Sequence, residues 1–302
     1  MTWRTVVISK RAKLDLRLNY MVVRGDTTRK IHIGEISTVI VESTEVSLTA
    51  ALLAELIKQK IKIIFCDEKS NPISELMPYY GCHDCSSKLK QQMAWSESLK
   101  QIIWSDIVAR KIRGQREVLL KTEKYEAAAM LQQYAASVQC GDISNREGHA
   151  AKVYFNALFG LNFTRSADNL INAALNYGYA IVLSACNREI VANGYLTQIG
   201  IFHDNTFNNF NFGSDLMETL RPFVDLLVYF LVANQELVKF EQEEKMKLVN
   251  VLNCQVKCDG KKYYLNHGIK LYCKSIFDAL NDKDIANIKY CLPDDQGAEY
   301  EV

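Results

Sequence analysis

The hydrophobic period of this chain changes once, and that change limits its folds more than any other feature. Up to about residue 80 the apolar runs are short, rich in β-branched residues and alternate with polar ones. They are Thr5-Val-Val-Ile-Ser9, Lys13-Leu-Asp-Leu-Arg-Leu18, Tyr20-Met-Val-Val23, Lys30-Ile-His-Ile33, Ser37-Thr-Val-Ile-Val-Glu42, Lys62-Ile-Ile-Phe-Cys66 and Pro72-Ile-Ser-Glu-Leu-Met77. Such runs read as strands, the first four as half-buried antiparallel ones, with Arg24-Gly25-Asp26 supplying a hairpin turn. From Lys88 the period becomes helical, with long Ala-, Gln-, Glu-, Lys- and Leu-rich stretches at 88–136, 147–159, 168–192 and 214–252. The expected fold class is therefore α+β. A β-rich, sandwich-like domain over 1–80 is followed by a linker over 81–87 and by a mainly helical domain over 88–302 that ends in an acidic tail.

Two local signals interrupt this scheme. Ser47 reads as the N-cap of a helix over Leu48–Lys60, inside the strand-rich half. Asp259-Gly260 lies between Cys254-Gln-Val-Lys257 and Lys262-Tyr-Tyr-Leu265, which predicts a small β-hairpin inside the helical half.

With 36 Lys and Arg against 35 Asp and Glu in 302 residues, the net charge is +1, and no global basic field draws the chain to nucleic acid. Any nucleic-acid contact must be a local patch. Residues 1–30 carry eight basic side chains against Asp15 and Asp26, a local +6, and the last 22 residues carry Lys283 and Lys289 against six acids, a local −4. No secretory leader or membrane-spanning run is expected, because the longest apolar stretch, Phe223–Ala233, is broken by Asp225. The nine cysteines read as reduced thiols in a cytoplasmic protein. Cys82-x-x-Cys85, with Cys254 and Cys258 as distant partners, is a weak zinc signal, and ordinary thiols are the better reading.

Walker loop, dinucleotide glycine fingerprint, G-x-S-x-G elbow and H-E-x-x-H are all missing from the sequence. What remains is a set of acids and one histidine. His32 and His267 read as structural or surface residues and His83 falls in the linker, whereas His203 lies in a loop crowded with asparagines. Ser214 then reads as a helix N-cap, with Asp215 and Glu218 in the first turn. Upstream, Ser144-Asn-Arg-Glu147 reads as a capping box. Capping is the commoner meaning of both patterns, but it leaves His203 and the asparagines without a task. Glu147, His203 and a helix-borne acid from three separate segments could instead meet around one divalent cation, and a shell of mixed oxygen and imidazole donors suits Mn²⁺ or Mg²⁺.

Four blocks carry a resemblance. Asn145-Arg-Glu-Gly-His-Ala-Ala-Lys-Val-Tyr-Phe155, Asn172–Ala180, Gly194–Asn205 and Ser214–Asp225 occur in the order seen in the CRISPR-associated adaptation integrase family, the nuclease subunit that inserts new spacers into CRISPR arrays. The sequence resembles most the form found with type II systems, and the resemblance covers essentially the whole chain. It departs from the family pattern at Thr219-Leu220, where Pro-Phe is expected, and over Ser166–Ile171.

The resemblance implies Glu147, His203 and Glu218 as catalytic, metal-holding residues, Asp215 as an accessory acid, and Mg²⁺ or Mn²⁺ as the cofactor. The implied reaction is attack of a DNA 3′-hydroxyl on a repeat phosphodiester. Implied partners are double-stranded DNA (spacer precursor and CRISPR repeat), a second copy of the chain joined through the β domain, and a small ferredoxin-like adaptation subunit bridging two dimers, with other CRISPR proteins alongside. Arg110, Arg113 and Arg116 on one helix, with Arg146, Lys152, Arg188 and Arg221 near the blocks, are the candidate DNA contacts. A solvated helix face fits the first three equally well. The alternatives are a non-catalytic DNA-binding scaffold, in which the acids are only caps, and a stand-alone nuclease of branched DNA.

Overall fold

Ile36-Ser-Thr-Val-Ile-Val41 is sealed from solvent at every position, so it can only be an inner strand. In the computed structural model, which describes residues 4–68, 70–78 and 83–293, the chain divides into two compact units, Met1–His83 and Asp84–Val302. Cys82 and the acidic end over 294–302 lie outside the described residues.

The first unit contains β1 (Arg4–Ile8), β2 (Ala12–Arg17), β3 (Tyr20–Arg24), β4 (Thr28–His32), β5 (Ile36–Val41), β6 (Val46–Leu48), α1 (Ala50–Lys58), β7 (Lys62–Cys66) and β8 (Pro72–Glu75). They form two four-stranded sheets, ordered β1-β5-β7-β8 and β4-β3-β2-β6. Apolar side chains from both sheets and from one face of α1 meet in one core, including Val6, Leu14, Met21, Val39, Leu52, Leu56 and Ile63. The sandwich-like expectation is thus met.

The antiparallel expectation holds for β2, β3 and β4 but not for β1, which pairs in parallel with β5, as β5 does with β7. An inner strand that is apolar on both faces suits parallel pairing, and the segment holding β6 and α1 is long enough to carry the chain from β5 back to β7. Ser47 is likewise not a cap. It lies in β6, opposite Lys13 of β2, and the helix is capped by Thr49, whose Oγ1 accepts the Leu52 N–H at 3.4 Å. Ladder pairing with β2 takes the residues that a purely local reading assigns to the helix.

The second unit contains α2 (Cys85–Met93), α3 (Glu97–Lys121), α4 (Tyr125–Ala136), α5 (Arg146–Phe159), α6 (Leu170–Ala192), α7 (Asn211–Met217), α8 (Arg221–Ala233), α9 (Gln242–Val249), β9 (Gln255–Cys258), β10 (Lys261–Tyr264), α10 (Leu265–Asp282) and β11 (Leu292–Pro293). Cys85-Ser-Ser87, expected in the linker, open α2 instead. The helical stretch 88–136 is interrupted at Ser96, which caps α3, and at Glu123, whose φ of 61° ends it. α6 runs through the core, and Gly178 lets α8 approach it, because a Cβ there meets Val224 Cγ1 at 2.4 Å. The predicted hairpin is present as β9 and β10, with Asp259 and Gly260 both at positive φ as a tight two-residue turn requires. Among the described residues no helix is long and apolar enough to cross a membrane.

Candidate metal and phosphodiester site

The N-terminus of α5 is capped without help from Ser144 or Glu147. Asn145 adopts a left-handed conformation, φ 49°, and its Oδ1 accepts the Gly148 N–H at 3.2 Å. Asp142 accepts the N–H groups of Arg146 and Glu147 at 2.8 and 3.0 Å. Acceptors on either side of Ser144 therefore displace the expected capping box, and the Ser144 hydroxyl is buried without a partner. The Glu147 carboxylate is left to act elsewhere, and its Oε1 accepts from the Lys111 ammonium of α3 at 2.5 Å.

Ser214 is not an N-cap either. α7 begins three residues earlier, so Asp215 lies inside it rather than in a solvated first turn. The Asp215 carboxylate, fully buried, gathers the 201–203 loop. Oδ2 accepts the N–H groups of Ile201 and Phe202 at 2.5 and 3.1 Å, and Oδ1 accepts the His203 N–H at 3.0 Å and pairs with His203 Nδ1 at 2.6 Å. Gly200 makes this approach feasible, since a Cβ there falls 2.6 Å from Asp215 Oδ2. The asparagines brace the same loop. Asn211 Nδ2 donates to the carbonyls of Gln198 and Asn205, both at 3.1 Å, and Asn208 Oδ1 accepts the Phe210 N–H at 2.9 Å. Trp104 of α3 stands edge-on to the imidazole at 5.7 Å and stacks flat on Phe202 at 4.3 Å.

Glu218 occupies a single 3-10 turn between α7 and α8. One of its oxygens meets the Lys111 ammonium and the other accepts from Arg221 Nε at 2.9 Å. Lys111 thus stands where two carboxylates from distant segments converge. Burial raises the Glu218 pKa, but the charges and hydrogen bonds of Lys111 and Arg221 outweigh it and hold the acid down at about 2. Burial likewise opposes the Lys111 ammonium, and the two glutamates overcome it and raise its pKa. The hydrogen bond that its ring donates to the Asp215 carboxylate raises that of His203, against burial, with smaller contributions from Asp215, Glu218 and Glu147 as charges. The three residues expected to act together therefore share one electrostatic neighbourhood. Among the described residues no three His, Cys, Asp or Glu side chains are gathered tightly enough to hold one ion, and the Lys111 ammonium is the positive charge at the point of convergence. Nor do Cys254 and Cys258 enter any such group.

The basic candidates do not form one stripe. Arg110 is half-buried over the Tyr290 ring at 5.8 Å, Arg113 is exposed, and Arg116 pairs with Glu117 at 2.6 Å. Arg146 lies over Tyr134 at 5.8 Å and Lys152 is exposed. Arg188 is committed to Glu189 and Asn266 at 2.9 and 3.0 Å, and Arg221 to Glu218 and the Tyr179 ring at 4.5 Å. His32 and His267 behave as expected: His32 accepts the Gly34 N–H at 3.1 Å and His267 packs on Tyr263 at 4.9 Å.

Sequence reasoning missed Lys111, Asp142 and Trp104. Lys111 did leave a signal: Trp104, Ile107, Val108, Gln115 and Val118 form the buried face of α3, and a lysine on that face needs acidic partners.

Known proteins resemble the chain over most of its length. The model of the family described as CRISPR associated protein Cas1 matches residues 5–267. A CRISPR-associated endonuclease Cas1 from Neisseria meningitidis serogroup C is 34% identical over 291 residues, covering 96% of each chain. Among solved structures, a casposase bound to integration product superposes with a TM-score of 0.75 at 18% identity, over 94% of this chain and 92% of that one. A chain of a Cas6-RT-Cas1–Cas2 complex superposes with a TM-score of 0.74 at 17% identity, over 94% of this chain, which spans 36% of that longer chain.

Proposed function

This chain belongs to the Cas1 family of CRISPR-associated proteins, and from that premise we propose that it is a divalent-metal-dependent DNA integrase and endonuclease acting in CRISPR adaptation. The observation that carries the reading is the convergence of Glu147 and Glu218 on one cationic point, beside an imidazole locked by Asp215. Neither glutamate is spent on capping a helix, which is what a non-catalytic scaffold requires of them.

Glu147, Glu218 and His203 would hold Mg²⁺ or Mn²⁺, whose chemistry is Lewis-acid polarisation of a phosphodiester and activation of a hydroxyl. The donor set suits such an ion, because the carboxylates supply hard, negative oxygens and already gather round a positive charge. Asp215 is a positioning residue. By holding Nδ1 of His203 it fixes the ring plane and, in the neutral imidazole, leaves the Nε2 lone pair as the ligand. Arg221 is stacked on Tyr179 and keeps the Glu218 carboxylate in place. Among the described residues no activated serine or cysteine stands at this site, and the attacking group is a DNA 3′-hydroxyl or water.

The substrates are spacer-precursor and repeat DNA, with Arg113 and Lys152 as exposed phosphate contacts that position DNA without reading its sequence. The protein acts in the cytoplasm as a homodimer through its β-rich unit, two dimers being bridged by a small adaptation subunit. The integration product and the Cas2-containing complex named for its structural neighbours support DNA and a CRISPR protein as partners.

The test is joining of a labelled 3′-hydroxyl fragment to repeat DNA by the protein, its partner subunit and Mg²⁺ or Mn²⁺. Glu147→Gln is expected to slow joining roughly 10²–10³-fold with the fold intact. Joining that persists undiminished in this variant removes Glu147 from the site. Running the same protein on branched DNA without the partner separates integration from stand-alone cleavage.

A further inference from the structure

Lys111 presents a problem that the reaction does not solve. Its ammonium occupies the place where Glu147 and Glu218 converge, with the side chain only 9% exposed. Glu147, Glu218, Lys111 and Arg221 together carry two negative and two positive charges, so the cluster is neutral as it stands. Adding a dication to a neutral, largely buried cluster leaves an uncompensated double charge, which is costly where solvent cannot screen it. One of the resident cations has to yield. Arg221 is held on both sides, by Glu218 and by the Tyr179 ring. Lys111 is a compact charge on a flexible four-carbon stem, and its bond to Glu147 is the more open one, since Glu147 is 26% exposed and Glu218 4%.

We propose that Lys111 is a built-in counter-cation: it holds the Glu147 and Glu218 carboxylates together in the metal-free protein and releases at least Glu147 when a divalent ion binds. The inference rests on the metal-holding role proposed above for these two glutamates. In the metal-free state the lysine prevents two buried carboxylates from repelling each other. The same attraction makes divalent binding a competition, so the site loads only when the ion outbids an internal charge. DNA phosphates arriving with the metal supply the negative charge that completes the exchange.

The experiment is Mn²⁺ binding to the full chain, read by loss of the free-ion electron paramagnetic resonance signal. It uses the wild type, Lys111→Met, which keeps much of the side-chain volume without the charge, and Lys111→Arg, which keeps the charge. Lys111→Met is expected to bind Mn²⁺ at least about tenfold more tightly than wild type, and Lys111→Arg no more tightly than wild type. Adding Glu147→Gln to Lys111→Met is expected to reverse the gain.

Equal or weaker binding by Lys111→Met, with wild type binding normally, overturns the inference and leaves the metal-site reading standing. Failure of wild type and Lys111→Met alike to bind Mn²⁺ overturns both. A measurement on unmodified protein keeps the test independent of how the variants fold. Reductive methylation, read by peptide mass spectrometry, should find Lys111 protected without metal and labelled several-fold faster at saturating Mg²⁺. A Lys111 that stays protected there overturns the inference.

Discussion

Glu218 and Asp225 are both sealed from solvent, one in the turn before α8 and the other in the second turn of α8, yet they behave oppositely. Glu218 faces two cations, and its pKa is held down at about 2 despite burial. Asp225 faces two phenols, accepting from Tyr154 at 3.0 Å and from Tyr179. Burial prevails over those hydrogen bonds and raises its pKa to about 6. Burial alone therefore does not say whether an acid is a charge available to a cation. The neighbours decide it. The two acids are also linked in space, because Tyr179 donates to Asp225 through its hydroxyl and carries Arg221 on its ring face, and Arg221 holds Glu218.

The contrast is sharpest if Glu218 is neutralised. Glu218→Gln is expected to slow DNA joining about 10³-fold and to cost roughly 3 kcal/mol in urea unfolding, because two cations lose a buried partner. A variant that joins DNA like wild type would put Glu218 in the same structural class as Asp225. A smaller effect is expected from Gly200→Ala, whose Cβ comes within 2.6 Å of both Asp215 Oδ2 and the His203 carbonyl. Displacing the imidazole loop should lower joining about 10²-fold while far-ultraviolet dichroism stays unchanged. Full activity there means that the loop tolerates a shift that the Asp215 hydrogen bonds are expected to resist.

The smallest effect concerns Asp225 itself. Its pKa is raised on folding from 3.8 to about 6, so its contribution to stability is fully present below about pH 3.8 and is lost as the pH rises through about 6. Glu218, lowered from 4.5 to about 2, has the opposite sign: its contribution is present above about pH 4.5 and is lost as the pH falls through 2. Between pH 4 and 7 the stability of wild type relative to Asp225→Asn should therefore fall, by roughly 1–3 kcal/mol. Parallel pH curves for the two proteins would mean that Asp225 folds already ionised, and the contrast with Glu218 would disappear.

Features governed by neighbouring residues were legible. Asp259-Gly260 supplies the positive φ pair that a tight hairpin needs, and the helical period of 147–159 and 168–192 survives as α5 and α6. Local rules failed where a distant or competing partner intervened. Ser47 obeys the capping pattern, but pairing with β2 claims it, and Ser144 and Ser214 lose their expected caps to Asp142, Asn145 and an earlier helix start. The parallel pairing of β1, β5 and β7 was invisible for the same reason, since the register of a ladder is written in residues far apart in the chain.

By itself the sequence determined the class of fold, the block order that identifies the family, and the short roster of acids and one histidine suited to a divalent ion. These follow from period, turn chemistry and donor type, which are properties of nearby residues. Only the tertiary structure decided that Asp215 is spent on the His203 loop, that Glu147 and Glu218 meet, and that a lysine from α3 stands between them. The reason is electrostatic: the state of a buried charge depends on what packs against it, and folding alone brings those partners together.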